Sequence, residues 1–247
     1  MENQENTVTE KMFVYPGDET DPIDAFLAEP VGEGPFPSVV VSMEAFGLVE
    51  HIKDIARSFA REGYIAIAPE LYSREGPPDP NNLSTVGPKM FGAPDKRVIN
   101  DLEGAVAFLK SLPTSNGKVG TIGFCSGGRQ SLMFACRSTN INAAVDCYGG
   151  FIVQEEFTPE RPTAPIDMTS DLSCPLLGLF GDEDQTPSPF HIALLKETLE
   201  NHGKEFEFYS YPGAGHGFFA DYRPSYNAEV AHDAWQQVLT WYSKYLC

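Results

Sequence analysis

The stretch Gly123-Phe124-Cys125-Ser126-Gly127-Gly128 sets a thiol between two glycines in a G-x-Cys-x-G frame. Residues 118–123 before it read as a buried strand, and residues 127–137 after it as a helix. A nucleophile on so sharp a strand-to-helix turn is held clear of the backbone. Side chains two residues to either side would collide, which explains the glycines. The helix N-terminus favours a thiolate by about 1 kcal/mol. The Ser126 N–H would point at a developing oxyanion. Cys125 is therefore the candidate nucleophile. The Ser126 hydroxyl lies off centre in the same frame and is placed second.

A thiol nucleophile needs a base, and the base needs a carboxylate to orient it. With a strand–turn–helix elbow the chain order is nucleophile, acid, histidine. Gly181-Asp182-Glu183-Asp184 follows the apolar run PLLGLF, and GAGHGF, which carries His216, follows FEFYSYP. His216 is the candidate base, since its glycine-rich loop lets an imidazole approach another backbone. The other histidines, His51, His191, His202 and His232, fall in helical patterns and are read as solvated. Asp184 is the favoured acid because it lies three residues past Gly181, just before a turn with Pro187. Asp182 stays as the alternative. Glu44 in SMEAFG follows the continuous apolar run SVVVS at 38–42. A charge placed there is costly unless paired, which marks it as a functional candidate.

The elements that must position these residues alternate. Residues 11–15 and 23–28 flank a turn-rich stretch and predict a hairpin. Short continuous apolar runs at 38–42, 64–68, 118–123, 143–148, 175–180 and 205–211 predict strands, most of them buried on both faces. Helical spacing covers 49–61, 101–112, 127–137, 189–202 and 225–246. Alternating strands and helices predict an α/β fold, a mostly parallel central sheet with helices on both faces. The chemistry-bearing residues all follow strands, where such sheets bind ligands. Residues 74–95 (REGPPDPNNLSTVGPKMFGAPD) read as a long Pro- and Gly-rich lid loop. Residues 1–8 are expected to fray. Nothing divides the chain, so residues 1–247 are expected to form a single domain.

Composition narrows the function. The formal charge of −18 repels phosphate backbones and anionic lipid, so neither nucleic acid nor membrane is an expected partner. Five cysteines without a CxxC pair, and scattered histidines without HExxH, suggest no zinc site and no redox dithiol. The polar N-terminus MENQENTVTE reads as neither signal nor transit peptide, and the expected location is a reduced cytoplasm. The pattern leaves the oligomeric state open.

The chain resembles the dienelactone hydrolase family. The resemblance rests on MEAFGL, APELYSR, DLEGAVAFLKSLP, NGKVGTIGFCSGG, DCYGG, GDEDQTPSP and GAGHGFF, in order from about residue 22 to the C-terminus. It implies an α/β-hydrolase core with a Cys125–Asp184–His216 triad. It also implies that Glu44 contacts the resting cysteine and helps deprotonate it, and that the Ala45 N–H joins that of Ser126 in an oxyanion hole. The family's best-known members hold a substrate carboxylate with arginines. Here Arg223, in DYRPSYN after His216, is the counterpart considered, with Arg74 and Lys89 as candidates in the lid region. Tyr148 in CYGG is expected to line the pocket. The implied activity is hydrolysis of a small-molecule ester or lactone, with no metal or organic cofactor. A second reading is a non-catalytic protein whose elbow thiol is oxidised reversibly as a redox sensor. The complete nucleophile–acid–histidine order favours the enzyme.

Overall fold

Alternation in the opening residues becomes an antiparallel hairpin, β1 (Val8–Pro16) with β2 (Pro22–Pro30). The computed structural model describes residues 7–79, 81–154 and 156–247. Residues 1–6 of the stretch expected to fray thus lie outside the described residues, whereas Val8 already pairs with Pro30. The continuous apolar runs form β3 (Phe36–Ser42), β4 (Ile65–Pro69), β5 (Ser115–Phe124), β6 (Ala143–Cys147), β7 (Leu176–Gly181) and β8 (Phe206–Tyr211). One eight-stranded sheet results, ordered β1-β2-β4-β3-β5-β6-β7-β8. It is parallel from β4 to β8 and antiparallel where β2 meets β1 and β4. Every residue of β4, β6 and β7 is buried, the reason their sequences do not alternate.

Helix α1 (Glu50–Arg61) and the last helix, α6 (Ala228–Leu246), cover one face. Phe59 joins them, its ring 4.6 Å from Trp235 and 5.8 Å from Tyr242. Helices α3 (Asp95–Ser111) and α4 (Ser126–Arg137) cover the other, and α5 (Pro189–Asn201) follows β7. No described helix is long and apolar enough to cross a membrane.

Two boundaries depart from the sequence reading. The 74–95 segment is not all loop, since α2 (Val86–Gly92) lies within it. Gly87 and Pro88 signal a break, but both sit in the first turn, where N–H groups have no partner inside the helix and proline costs little. Helix α3 starts at Asp95 rather than near 101. Its first turn is held by a fork from Arg129 of α4, with Nη1 donating to Asp95 Oδ1 at 2.6 Å and Nη2 to Oδ2 at 2.9 Å. Both partners are buried, and that contact is tertiary.

Asp146 sits inside β6 at 0% exposure. One oxygen accepts from the Gly149 N–H at 2.7 Å, and the other has no hydrogen-bond partner. Burial pushes its pKa up to about 7, against the pull of the Gly149 N–H. A carboxyl with a higher pKa when folded binds its proton more tightly in the native state. Its contribution to stability therefore falls as pH rises from the unfolded value toward about 7, by on the order of a few kcal/mol. Asp146→Asn is expected to remove this loss. In urea melts its advantage over wild type should be larger near pH 8 than near pH 5. An advantage independent of pH would refute the assignment.

Candidate active site

The elbow is built as its glycines require. Cys125 has φ 58° and ψ −117°, a strained conformation for a residue with a side chain. Backbone bonds hold it there. Its N–H donates to the Cys147 carbonyl at 3.1 Å, and its own carbonyl accepts from the Gly128 and Arg129 N–H groups at 3.0 and 3.3 Å. A Cβ on Gly123 would lie 1.8 Å from the Gly127 carbonyl oxygen, and one on Gly127 would lie 2.4 Å from the Ser42 carbonyl oxygen. The neighbour is backbone in each case, that of α4 for Gly123 and of β3 for Gly127, so relief needs the elbow backbone itself to move. Gly123→Ala is expected to cost at least about 3 kcal/mol. A melting temperature within about 2 °C of wild type would refute this steric account.

The thiols differ by place. Cys136, Cys147 and Cys174 are buried, and burial holds each thiol neutral, with Cys136 and Cys174 pushed up to about 12. Cys125 is half-buried and opens on a cleft of 410 Å³, which Ala45, Ser126 and His216 also line. The two residues expected to supply oxyanion N–H groups thus flank the thiol.

His216 and Asp184 come together as the chain order requires. His216 Nδ1 lies 2.8 Å from Asp184 Oδ2, and the carboxylate is 2% exposed. Asp184 Oδ1 accepts from the Thr186 N–H at 2.8 Å, which fixes its plane. Burial works against the charged form of His216. Hydrogen bonds to Asp184 and Cys125, with the charges of both, override it and raise the imidazole pKa to about 10. Asp182, the alternative acid, turns outward and hydrogen-bonds the Ser210 hydroxyl.

Glu44 is fully buried beside this group. The family resemblance implies a contact with the resting cysteine. The structure instead gives its oxygens to the loop after β8, where the Tyr222 hydroxyl donates to Oε2 at 2.5 Å and Arg223 Nη1 to Oε1 at 3.2 Å. Arg223 can close in because residue 217 is glycine, where a Cβ would stand 2.4 Å from its Nη1. Arg223 lines the cleft. Arg74 is far committed elsewhere, forked to Asp101 and Asp21. Lys89 bonds the Glu75 carbonyl.

Two expectations need correction. Tyr148 does not line the cleft. It is 0% exposed, and its ring stands edge-on to His216 at 5.3 Å and to Phe218 at 5.0 Å, bracing the imidazole from behind. His51 is not solvated. It is 9% exposed, its Nδ1 lies 3.2 Å from Asp221 Oδ1, and its ring packs 5.6 Å from Tyr222. Sequence reasoning missed Tyr222, Met90, Val86 and Phe151. The adjacency of Tyr222 to Arg223 was the one signal that could have pointed to the first of them.

This strand order, with a strained elbow after β5 and a carboxylate–histidine pair from the loops after β7 and β8, defines an α/β-hydrolase fold. The chain belongs to the dienelactone hydrolase family, whose model matches residues 23–246. A "Putative carboxymethylenebutenolidase" of Methylorubrum extorquens is 40% identical over 90% of this chain and 77% of its own. A protein of the same name from Escherichia coli K12 is 38% identical over 91% and 83%. The crystal structure of a "Putative Dienelactone Hydrolase" from Klebsiella pneumoniae superposes with a TM-score of 0.90 at 35% identity, covering 97% of this chain and 100% of the other. The chain is accordingly a dienelactone hydrolase-like hydrolase of ester or lactone bonds.

Proposed function

We propose that this chain hydrolyses a small-molecule ester or lactone through Cys125, His216 and Asp184. The observation that carries the reading is the 2.8 Å His216–Asp184 bond in the same cleft as the elbow thiol. The Cys125 thiolate attacks the carbonyl carbon, and the carbonyl π pair moves onto oxygen. The N–H groups of Ala45 and Ser126 hold that oxyanion. As the tetrahedral species collapses, the C–O bond breaks and the imidazolium of His216 protonates the departing alkoxide. The neutral imidazole then takes a proton from water, whose oxygen attacks the thioester and returns the thiolate. Asp184 keeps the Nδ1 proton in place, so that Nε2 exchanges protons with the substrate. Arg223 lines the cleft, and with Tyr222 it holds the buried Glu44. These steps call on no cofactor.

Intact-mass measurement during turnover of p-nitrophenyl acetate tests this. An acetyl adduct that maps to Cys125 and decays as fast as p-nitrophenol appears in the steady state is the expected result. An adduct that accumulates without turnover would favour the sensor role instead.

A further inference from the structure

Glu44 is buried, and the two side chains that satisfy it come from adjacent positions, Tyr222 and Arg223. The state of that carboxylate therefore depends on where one short segment sits. The segment is largely exposed, with Tyr222 at 51% and the Asp221 side chain at 68%. The Arg223 N–H donates to the Ala220 carbonyl at 3.0 Å, and the Tyr226 N–H to the Arg223 carbonyl at 3.1 Å. These bonds shape the turn without tying it to the sheet. Side chains tie it down. The Arg223 guanidinium faces the Phe46 ring at 5.6 Å, and Asp221 Oδ1 lies 3.2 Å from His51 Nδ1.

His51 is the second residue of α1, and Glu44 and Phe46 lie on the connection that leads into that helix. Its ring packs 5.6 Å from that of Tyr222 and stands edge-on to Phe124, the residue before the elbow thiol, at 6.4 Å. Its Nε2 is buried without a hydrogen-bond partner, so an apolar ring would suit that face better. What the imidazole adds is a hydrogen on Nδ1, which Asp221 can accept. Asp54 shares a hollow of 320 Å³ with His51, Asp221 and His232, but Arg57 holds it at 2.6 Å. The segment and the thiol are also linked through their charges. Burial, and then the charge of Glu44, push the Tyr222 hydroxyl far above its ordinary pKa, and the charge of Cys125 adds to the push. His216, Tyr72 and Tyr148 feel the Cys125 charge too, but none of them belongs to this segment.

We propose that His51 and Asp221 are positioning residues. Their bond fastens residues 221–223 to the first turn of α1, and through Tyr222 and Arg223 it keeps the buried Glu44 compensated beside the Cys125 thiol. Without that bond Tyr222 and Arg223 would drift from Glu44, and an uncompensated carboxylate beside a thiol disfavours the thiolate. The consequence for turnover rests on the hydrolase reading of Cys125, whereas the reactivity of the thiol can be measured without it.

Iodoacetamide alkylation followed against pH tests this, with the adduct mapped to Cys125 because Cys247 is also exposed. Asp221→Ala and His51→Phe, which keeps a ring at position 51, are each expected to raise the midpoint of the profile by about one pH unit. Below the midpoint, alkylation should slow about tenfold. The double variant should go no further than either single change, because both remove the same bond. Asp221→Asn, whose amide oxygen still accepts, should alkylate within about twofold of wild type. Asp221 is a surface side chain, so Asp221→Ala should melt like wild type. kcat/KM for p-nitrophenyl acetate should fall in step with alkylation. A midpoint that stays or drops in Asp221→Ala, or single effects that add in the double variant, would overturn the proposal. The expected alkylation shifts together with no ester turnover by wild type would count against the hydrolase reading and leave the role of the His51–Asp221 bond standing.

Discussion

Cys125→Ala is expected to lower kcat for p-nitrophenyl acetate by at least about 10⁴-fold, because a residue of this kind acts as one unit with its base and losing it stops covalent chemistry altogether. What remains should be the modest acceleration that oxyanion donors and binding supply alone. The change is isolated. Cys125 is half-buried at the cleft mouth, and its backbone is held by bonds to Cys147, Gly128 and Arg129 that alanine keeps. Melting temperature should therefore hardly move. The acetyl adduct should vanish together with turnover. Activity equal to wild type would transfer the role to Ser126, whose hydroxyl is buried one residue along and has no hydrogen-bond partner.

The second large effect separates two aspartates that stand two positions apart. Asp184→Asn is expected to lower kcat by about 10³ to 10⁴-fold, whereas Asp182→Asn should change it by less than about twofold. An amide at 184 can donate a hydrogen bond where the carboxylate only accepts, and so lets His216 settle in the wrong tautomer. It also removes one of the two partners that raise the His216 pKa to about 10. In the proposed mechanism His216 must be protonated to release the alkoxide. The alkaline limb of the kcat profile in Asp184→Asn should therefore fall at lower pH than in wild type, a shift that mere loosening of the loop would not produce. Equal losses at 182 and 184, or an unmoved alkaline limb, would refute the assignment of roles.

Much of the architecture was legible because it is local. The runs SVVVS, IAIAP and PLLGLF have no polar face, and a strand without a polar face must be covered on both sides. The glycines around Cys125 announce the elbow because no other residue fits where a Cβ would overlap the next turn. Helix α2 was not legible. Its Gly87 and Pro88 read as breakers, and only their position in the first turn makes them harmless. The early start of α3 was hidden too, because it depends on Arg129, 34 residues away in the chain.

By itself the sequence determined the order of the candidate groups: thiol at 125, acids at 182–184, imidazole at 216, each following a strand of a parallel sheet. Spacing and residue type suffice for that, since each lies at the end of an element whose period is local. Tertiary structure alone decided which groups meet. Asp182 and Asp184 are indistinguishable by type. The turn after β7 sends one toward Ser210 and the other to His216. Glu44 follows a buried strand, and nothing local says that a tyrosine and an arginine some 180 positions later satisfy it. Tyr148 directly follows β6 at the site, yet it turns behind the imidazole instead of into the cleft. Such pairings depend on how distant loops fold over one another, and there the free energy lies in contacts that no local pattern encodes.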